Sequence, residues 1–314
     1  MLRIKINDTG IVREFSEKYH NGIIEKLNNI VNSGFKYKNE SISLNKNEKK
    51  LLKKYFLNEN NIRGIIEANP KRLRAIIRLV NIKYPKIHDK NSKIFKALYV
   101  AFVNHGYNKI DKYEFINYLN LKTCPYCNRN YIFTIDKNKR IKPEIDHFYP
   151  KSIYPYLAVS FYNLIPSCSI CNGFGAKGNR DSFKDKLINP YEIKNNDFCF
   201  SFDIMSADIL NNKLNEKAIK ITFLKKIDSN NDYFQLENLY DKHRDIVIEL
   251  YQKLKLEYSN EYLKILKKSF KLNFDEDEIY RLLYGYYKNE NDFHKRPLSK
   301  MIKDIIDELS LIQK

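Results

Sequence analysis

Cys124-Pro125-Tyr126-Cys127 and Cys168-Ser169-Ile170-Cys171 are two CxxC pairs, and forty residues separate them along the chain. Two residues between the cysteines let one turn present both thiolates to a single ion, and two such turns complete a tetrahedral zinc site. Disulfides or a redox pair are the competing interpretations, but a redox motif needs one pair rather than two. We therefore predict that a structural Zn²⁺ is bound by Cys124, Cys127, Cys168 and Cys171.

Between the cysteine pairs lies a polar stretch with catalytic potential, Glu144-Ile145-Asp146-His147-Phe148-Tyr149-Pro150-Lys151-Ser152. Asn163 follows sixteen residues after His147, and Asn172 directly follows the last cysteine of the second pair. The carboxylate of Asp146 and the amide oxygen of an asparagine are hard ligands of the kind that Mg²⁺ prefers. A neighbouring histidine is the natural general base near neutral pH. The stretch therefore predicts a divalent-metal site with His147 beside it.

The order of these residues, Asp-His, then Asn-Leu, then Cys-x-x-Cys-Asn, resembles that of the HNH (ββα-metal) endonucleases with paired zinc knuckles. The resemblance covers about residues 121–182 and involves several spaced elements. In that family a β-hairpin ends at the histidine, a loop follows, and a helix supplies the last metal ligand. The resemblance therefore implies a small ββα-metal nuclease domain, stapled by zinc, that hydrolyses phosphodiester bonds of DNA.

The resemblance also implies a role for each matching residue. His147 resembles the general base that activates water, and Asn163 resembles the residue that braces the loop and orients this histidine. Asp146 and Asn172 would hold the catalytic divalent ion, and the four cysteines would hold Zn²⁺. Because Asn172 stands where histidine is the alternative, an oxygen-preferring ion such as Mg²⁺ or Mn²⁺ is favoured over a second zinc. Lys177 is assigned to phosphate contact, although more residues precede it than the family pattern leads one to expect.

The chain as a whole is similar to the nuclease subunits of Septu-type bacterial anti-phage systems. The similarity includes Cys-Pro-Tyr-Cys-Asn-Arg-Asn-Tyr at the first knuckle and Lys295-Arg296-Pro297-Leu298-Ser299-Lys300 near the end of the sequence. In such systems an HNH subunit works with an ATPase partner. The resemblance therefore implies anti-phage defence and an ATPase subunit that docks on the last third of the chain.

Positive charge is concentrated in the first 190 residues. The chain has 314 residues, and its 56 Lys and Arg against 38 Asp and Glu give a net charge of +18. Residues 1–120 contribute +13, residues 121–190 contribute +6, and residues 191–314 contribute −1. Lysine that served only solubility would be spread evenly, so this distribution indicates a polyanion-binding first part. The nearly neutral last third suits a protein partner.

Local patterns predict an α+β protein that is mainly helical and has three parts. Residues 1–120 form a basic, mostly helical region, and residues 121–190 form the HNH nuclease domain with its four-cysteine zinc site. Residues 191–314 have strands first and helices afterwards. Strands are predicted at residues 130–135, 141–146, 198–202 and 219–223, with a turn at 136–139.

One helix is well marked by its sequence. Asn69 is a suitable N-cap and Pro70 suits the first helical position. The apolar residues that follow recur at helical spacing, which predicts a buried stripe. They are Leu73, Ile76, Ile77 and Val80.

Six cations are predicted to bind nucleic acid. Three of them fall at i, i+3 and i+7 on another face of the helix that begins at Pro70, where they can follow a phosphate backbone. An ordinary solvated face is the alternative interpretation for these three. The other three lie in the nuclease domain. The six are Lys71, Arg74, Arg78, Lys151, Lys177 and Arg180.

Several classes of protein are disfavoured by the sequence. No run of about 18 apolar residues is present, which argues against a membrane span. The first residues lack the apolar region of a signal peptide, and five cysteines in such a chain argue against a disulfide scaffold. We therefore expect a cytoplasmic protein, with Cys199 in the core and His243 in a structural role.

Two alternative functions remain open at the level of sequence. An RNA-cleaving HNH-type nuclease or toxin is one, because phosphate contacts carry no information about the sugar. A zinc-stapled nucleic-acid-binding module without catalysis is the other. That module would be expected to lack one of the site residues, and Asp146, His147 and Asn172 are all present.

Overall fold

Helices occupy most of the first 120 residues, as the sequence predicts. The computed structural model describes residues 1–6, 8–135, 141–206, 215–257 and 275–312. The helices of the first part are α1 (Gly10–Ser33), α2 (Lys46–Tyr55), α3 (Glu59–Ile66), α4 (Pro70–Lys83), α5 (Lys93–Leu98) and α6 (Lys112–Leu119). A short hairpin of β1 (Phe35–Tyr37) and β2 (Glu40–Ile42) lies between α1 and α2.

Helix α4 confirms the prediction made from its cap and its apolar spacing. The Asn69 side chain accepts a hydrogen bond of 3.0 Å from the backbone N–H of Arg72, which satisfies one of the free donors at the helix start. Of the four predicted apolar positions, Leu73, Ile77 and Val80 are buried and Ile76 is half-buried. The helix thus turns its apolar stripe inward, as an amphipathic helix does to bury apolar area.

The chain divides into two compact units that do not follow sequence order. The N-terminal unit consists of Ile4–Asn120 and Thr134–Glu192. The C-terminal unit consists of Met1–Arg3, Leu121–Phe133 and Ile193–Lys314. The predicted nuclease region at 121–190 is therefore shared between the two units.

Two strands and one short helix carry the candidate site within the N-terminal unit. Strand β3 (Glu144–His147) pairs antiparallel with β4 (Leu164–Ser167), so that Asp146 lies opposite Ile165. The turn that begins α7 (Ser169–Asn172) directly follows β4. The loop between β3 and β4 has short 3₁₀ turns, and it folds back because its ends are joined by the strand pairing.

The prediction of a strand at residues 130–135 was wrong. Apart from a single bridge between Tyr131 and Thr123, this segment has no strand structure. The backbone instead closes the first cysteine turn, since the Cys124 N–H donates to the Asn130 carbonyl and the Ile132 N–H donates to the Lys122 carbonyl. The partner of the real strand β3 is consequently β4. The turn predicted at 136–139 lies outside the described residues.

The C-terminal unit contains the strands and helices that the sequence predicts there. Strand β5 (Cys199–Ile204) pairs antiparallel with β6 (Ile219–Lys225). The helices are α8 (Asp228–Phe234), α9 (Leu236–Tyr240), α10 (Arg244–Glu257), α11 (Glu276–Tyr284) and α12 (Ser299–Ile312). Cys199 is half-buried rather than fully in the core, because it stands at the first position of its strand.

A close approach between helix and loop shapes the N-terminal unit near the site. Residues Tyr99–Gly106 continue α5 as π-helical turns. A Cβ atom at Gly106 would stand 2.7 Å from a methyl carbon of Val159, in the loop between β3 and β4. Glycine therefore lets the π-helical segment contact this loop, and the next residue, Tyr107, packs against His147.

Candidate functional site

The four predicted zinc ligands lie together. Their Sγ atoms are all within 4.8 Å of one another, and all four side chains are buried. This spacing suits four thiolates around one ion at about 2.3 Å from each sulfur. The prediction of a four-cysteine cluster able to bind a metal such as zinc is thereby confirmed.

The first cysteine turn has the backbone hydrogen bonds expected of a metal-binding knuckle. The Asn128 N–H donates to the Cys124 carbonyl at 2.7 Å, and the Arg129 N–H points to the Cys127 sulfur at 3.4 Å. Asn128 has a φ of 48°, a left-handed conformation that asparagine tolerates better than most residues. N–H groups aimed at sulfur stabilise its thiolate form, which is the form that binds metal.

Asp146, His147 and Asn172 line one cavity of about 350 Å³ in the N-terminal unit. The sequence places them on different elements, since Asp146 and His147 end β3 and Asn172 ends α7. Both β3 residues reach the cavity because the strand ends at His147 and the chain then turns into the loop. Lys151 and Glu144 also line the cavity. The structure therefore brings together the residues that the sequence assigned to one site.

The ring of His147 is held in one orientation. Its Nε2 atom donates a hydrogen bond of 3.1 Å to the Ala158 carbonyl, and its ring stands edge-on to Tyr107 with centroids 4.4 Å apart. Because a carbonyl oxygen only accepts, Nε2 carries the proton of the neutral ring and Nδ1 keeps its lone pair. Burial lowers the pKa of His147 well below its usual value, and Lys151 lowers it further. The imidazole is therefore neutral near pH 7, with its lone pair on Nδ1.

Lys177 is completely buried beneath the site rather than exposed for the phosphate contact expected from the sequence. Its ammonium lies 3.1 Å from Oδ1 of Asp146 and donates a hydrogen bond of 2.8 Å to the His147 carbonyl. A buried carboxylate needs such a partner, because an unpaired charge away from water is costly. Lys177 therefore positions Asp146 and the end of β3 relative to each other.

Glu144 is a site residue that the sequence motif did not indicate. Its Oε2 accepts a hydrogen bond of 2.6 Å from the side-chain amide of Asn172. Since this bond uses the amide nitrogen, the amide oxygen of Asn172 is left as the oxygen that can bind an ion. The two-residue spacing between Glu144 and Asp146, which puts both on one face of a strand, was the available signal.

Asn163 lies fully buried inside the loop that follows β3. Its side-chain oxygen accepts a hydrogen bond of 2.7 Å from the Tyr149 N–H, and its amide nitrogen donates to the carbonyls of Tyr149 and Leu157. These three bonds connect both ends of the loop that carries Ala158, the partner of His147. Asn163 is not one of the described residues that line the cavity, so its contacts are those of a loop brace.

Comparison with known proteins finds a partial relative. Over 67 residues the chain is 43% identical to the Septu protein PtuB of Bacillus thuringiensis. The matched stretch is 21% of this chain and 23% of that protein, so the similarity spans about a quarter of the relative's length. No protein-family model and no solved structure matches the chain. The similarity supports a relation to Septu proteins.

The other cations predicted to bind nucleic acid have different environments. Lys71, Arg78 and Arg180 are exposed. Arg74 is half-buried and forms a bidentate ion pair with Glu192. In this pair Nη2 of Arg74 lies 2.8 Å from Oε1 of Glu192. This carboxylate raises the pKa of Arg74 and occupies the guanidinium.

Among the described helices, none has both the length and the apolar character needed to cross a bilayer.

Removing the charge of Lys177 is expected to destabilise the protein strongly. Lys177→Met keeps most of the side-chain volume but leaves the Asp146 carboxylate buried without its cation, so we expect a loss of about 3–5 kcal/mol in unfolding free energy. Urea denaturation in a zinc-containing buffer without Mg²⁺ measures it. Lys18→Met is the matched control, because Lys18 pairs with Glu114 at the surface and such pairs contribute about 0–1 kcal/mol. Equal losses in the two variants would contradict the positioning role.

Proposed function

We propose that this protein is a metal-dependent HNH-type endonuclease that hydrolyses phosphodiester bonds of DNA in Septu-type anti-phage defence. The observation that carries the proposal is the meeting of Asp146, His147 and Asn172 in one cavity. The partial similarity to Septu protein PtuB supports the defence role. The four-cysteine cluster fits the structural zinc of the same nuclease type.

The donor set suits a hard divalent cation. Asp146 and Asn172 would hold Mg²⁺ or Mn²⁺ through oxygen atoms, and no thiolate lines this cavity among the described residues. Asp146 has two carboxylate oxygens, of which Oδ1 contacts Lys177, so the carboxylate can serve both partners. A bound ion of this kind supplies positive charge that stabilises the negative charge developing on the phosphate and the leaving oxygen.

The chain's own contribution to the reaction is a proton acceptor of fixed orientation. Nδ1 of His147 takes a proton from a water molecule as the water oxygen forms a bond to phosphorus. The bond between phosphorus and the 3′ oxygen breaks, and this oxygen takes up a proton from solvent. The products therefore carry a 5′-phosphate and a 3′-hydroxyl. The hydrogen bond from Nε2 to the Ala158 carbonyl stabilises the protonated ring during this step.

A cleavage assay tests the proposal. Purified protein is incubated with supercoiled plasmid in Mg²⁺, in Mn²⁺, and with no divalent ion added, alone and with a co-expressed ATPase subunit. We expect nicked or linear products only in the presence of a divalent ion, with ends that DNA ligase rejoins because they retain the 5′-phosphate. Cleavage that is independent of the ion would contradict the metal-dependent mechanism, and no cleavage with the ATPase present would argue for a non-catalytic binding module. A parallel assay with single-stranded and duplex RNA decides between DNA and RNA as substrate.

A further inference from the structure

Three lysines form a continuous group of cations at the edge of the candidate site. Lys151 lines the cavity that holds His147, and its ammonium lies 4.5 Å from the centre of the Tyr107 ring. The ammonium of Lys112, the first residue of α6, lies 4.9 Å from the same ring centre. The third lysine is Lys142, whose ammonium lies 5.7 Å from the ring centre of Tyr113, the residue after Lys112. The group therefore extends outward from the cavity.

These lysines have no acidic partners among the described residues, since none of the three forms an ion pair there. The acidic residues of α6 and its cap have other contacts, because Asp111 caps the helix by accepting from two backbone N–H groups and Glu114 pairs with Lys18. Burial lowers the pKa of Lys112 and the charge of Lys142 lowers it further. Burial likewise lowers the pKa of Lys151, followed by the charge of Lys112. Lys112 and Lys151 are half-buried and Lys142 is exposed. Cations that repel one another are stabilised by a bound anion.

The aromatic contacts keep this group next to the reacting atoms. Tyr107 is buried, its ring contacts the His147 ring, and both Lys112 and Lys151 lie over it. An ammonium over an aromatic face is attracted to the ring, which holds the lysines in place without neutralising them. Their charge thus stays available to a ligand beside His147.

We propose that Lys112, Lys142 and Lys151 form a phosphate-binding cradle that holds the backbone of duplex DNA next to the phosphodiester facing His147. The inference rests on the proposed function, because it assigns the substrate contacts of that same site. It adds Lys112 and Lys142, which the nuclease motif does not include. A group of unneutralised cations binds the phosphate backbone by releasing its condensed counterions.

Binding measured without cleavage tests the cradle. The dissociation constant for a short fluorescent duplex DNA is determined by anisotropy at several salt concentrations, in buffer without Mg²⁺ or Mn²⁺. The variant Lys112→Gln/Lys142→Gln/Lys151→Gln keeps most of each aliphatic stem and removes the charges. The logarithm of the binding constant decreases as the logarithm of the salt concentration rises, and we expect this slope to become less steep by about 0.9 for each lysine replaced. Affinity near 0.1 M salt should drop about tenfold for each lysine replaced.

Two matched variants make the result specific. The first, Lys46→Gln/Lys50→Gln/Lys53→Gln, removes the same net charge from α2, which lines no part of the cavity among the described residues, and is expected to change affinity much less. The second replaces the three cradle lysines with arginine and is expected to retain binding. Equal losses in the two glutamine variants, or unchanged binding in the cradle variant, would overturn the proposal.

The assay also separates the cradle from the proposed catalysis. A His147→Ala protein that binds DNA normally but does not cut it supports both. A wild-type protein that binds through the cradle but cuts nothing supports the cradle alone and counts against the nuclease. If the cradle variant loses affinity for duplex RNA of the same sequence but keeps its affinity for DNA, the assignment to DNA is overturned.

Discussion

His147→Ala is expected to reduce the rate of metal-dependent DNA cleavage by about 10²–10⁴-fold, the usual contribution of a general base. The imidazole is the only neutral nitrogen base among the described residues that line the cavity, and in the proposed mechanism its Nδ1 accepts the proton. Nicking of supercoiled plasmid under single-turnover conditions measures the rate of the chemical step. DNA affinity should change little, because the neutral ring carries no charge to a phosphate.

Controls separate the catalytic role of His147 from its place in the fold. His147 is buried, and its removal leaves the Ala158 carbonyl without its donor, so melting temperature is recorded for every variant. His105→Ala is the matched control, because His105 contacts Lys109 and is not one of the described residues that line this cavity. Added imidazole should restore part of the activity of a His147→Gly variant. If His147→Ala and His105→Ala cut equally fast, His147 is not the base.

Loss of one zinc ligand is expected to unfold the region around the cysteine cluster. Binding of structural zinc is worth about 10–16 kcal/mol in zinc-finger peptides, which is comparable to or larger than the total stability of about 5–15 kcal/mol of many domains. Cys168→Ser should therefore lose its zinc, melt at a much lower temperature and lose protection of nearby amides from hydrogen exchange. Elemental analysis, thermal melting and hydrogen exchange measure these three effects.

Cys199 offers the matched control for this experiment. It is a half-buried cysteine outside the cluster, so Cys199→Ser should keep one zinc ion per chain and nearly normal melting. A strong zinc chelator should reproduce the effect of Cys168→Ser in the wild-type protein. Equal zinc content and equal melting temperatures in Cys168→Ser and Cys199→Ser would contradict the assignment of the cluster to structural zinc.

Several features of the protein could be predicted because their causes are local in sequence. The two-residue spacing within each CxxC pair limits where both sulfurs can point, and the predicted cluster is present. The start of α4 depends on Asn69 and Pro70, which act on backbone groups only a few residues away.

Strand pairing could not be predicted in the same way. The apolar run at 130–135 has the composition of a strand, but the Asn130 carbonyl and the Ile132 N–H are used around the cysteine turn that precedes it. β3 therefore pairs with β4, which is about twenty residues away, rather than with the nearest candidate. Composition describes what a segment tolerates, and the competition for its hydrogen-bonding groups decides the outcome.

The environments of the charged residues near the site also depended on distant parts of the chain. The sequence predicts that Lys177 contacts phosphate, but Lys177 is buried against Asp146, which lies thirty-one residues earlier in the chain. The sequence predicts that Arg74 belongs to a basic helical face that binds nucleic acid, but Arg74 pairs with Glu192, which is 118 residues away. A pattern of charges on one helix carries no information about which carboxylate from another segment meets it.

The sequence by itself therefore determined which chemical groups are present and how closely they are spaced along the chain: four thiolates in two pairs, and an Asp-His pair followed by two asparagines. Only the tertiary structure decided which groups are neighbours in space. It placed Lys177 under Asp146, Glu144 against Asn172, and Lys112 and Lys151 over Tyr107. The reason is physical, because spacing within a turn is set by local backbone geometry, whereas burial and charge pairing depend on every segment that packs at the same place.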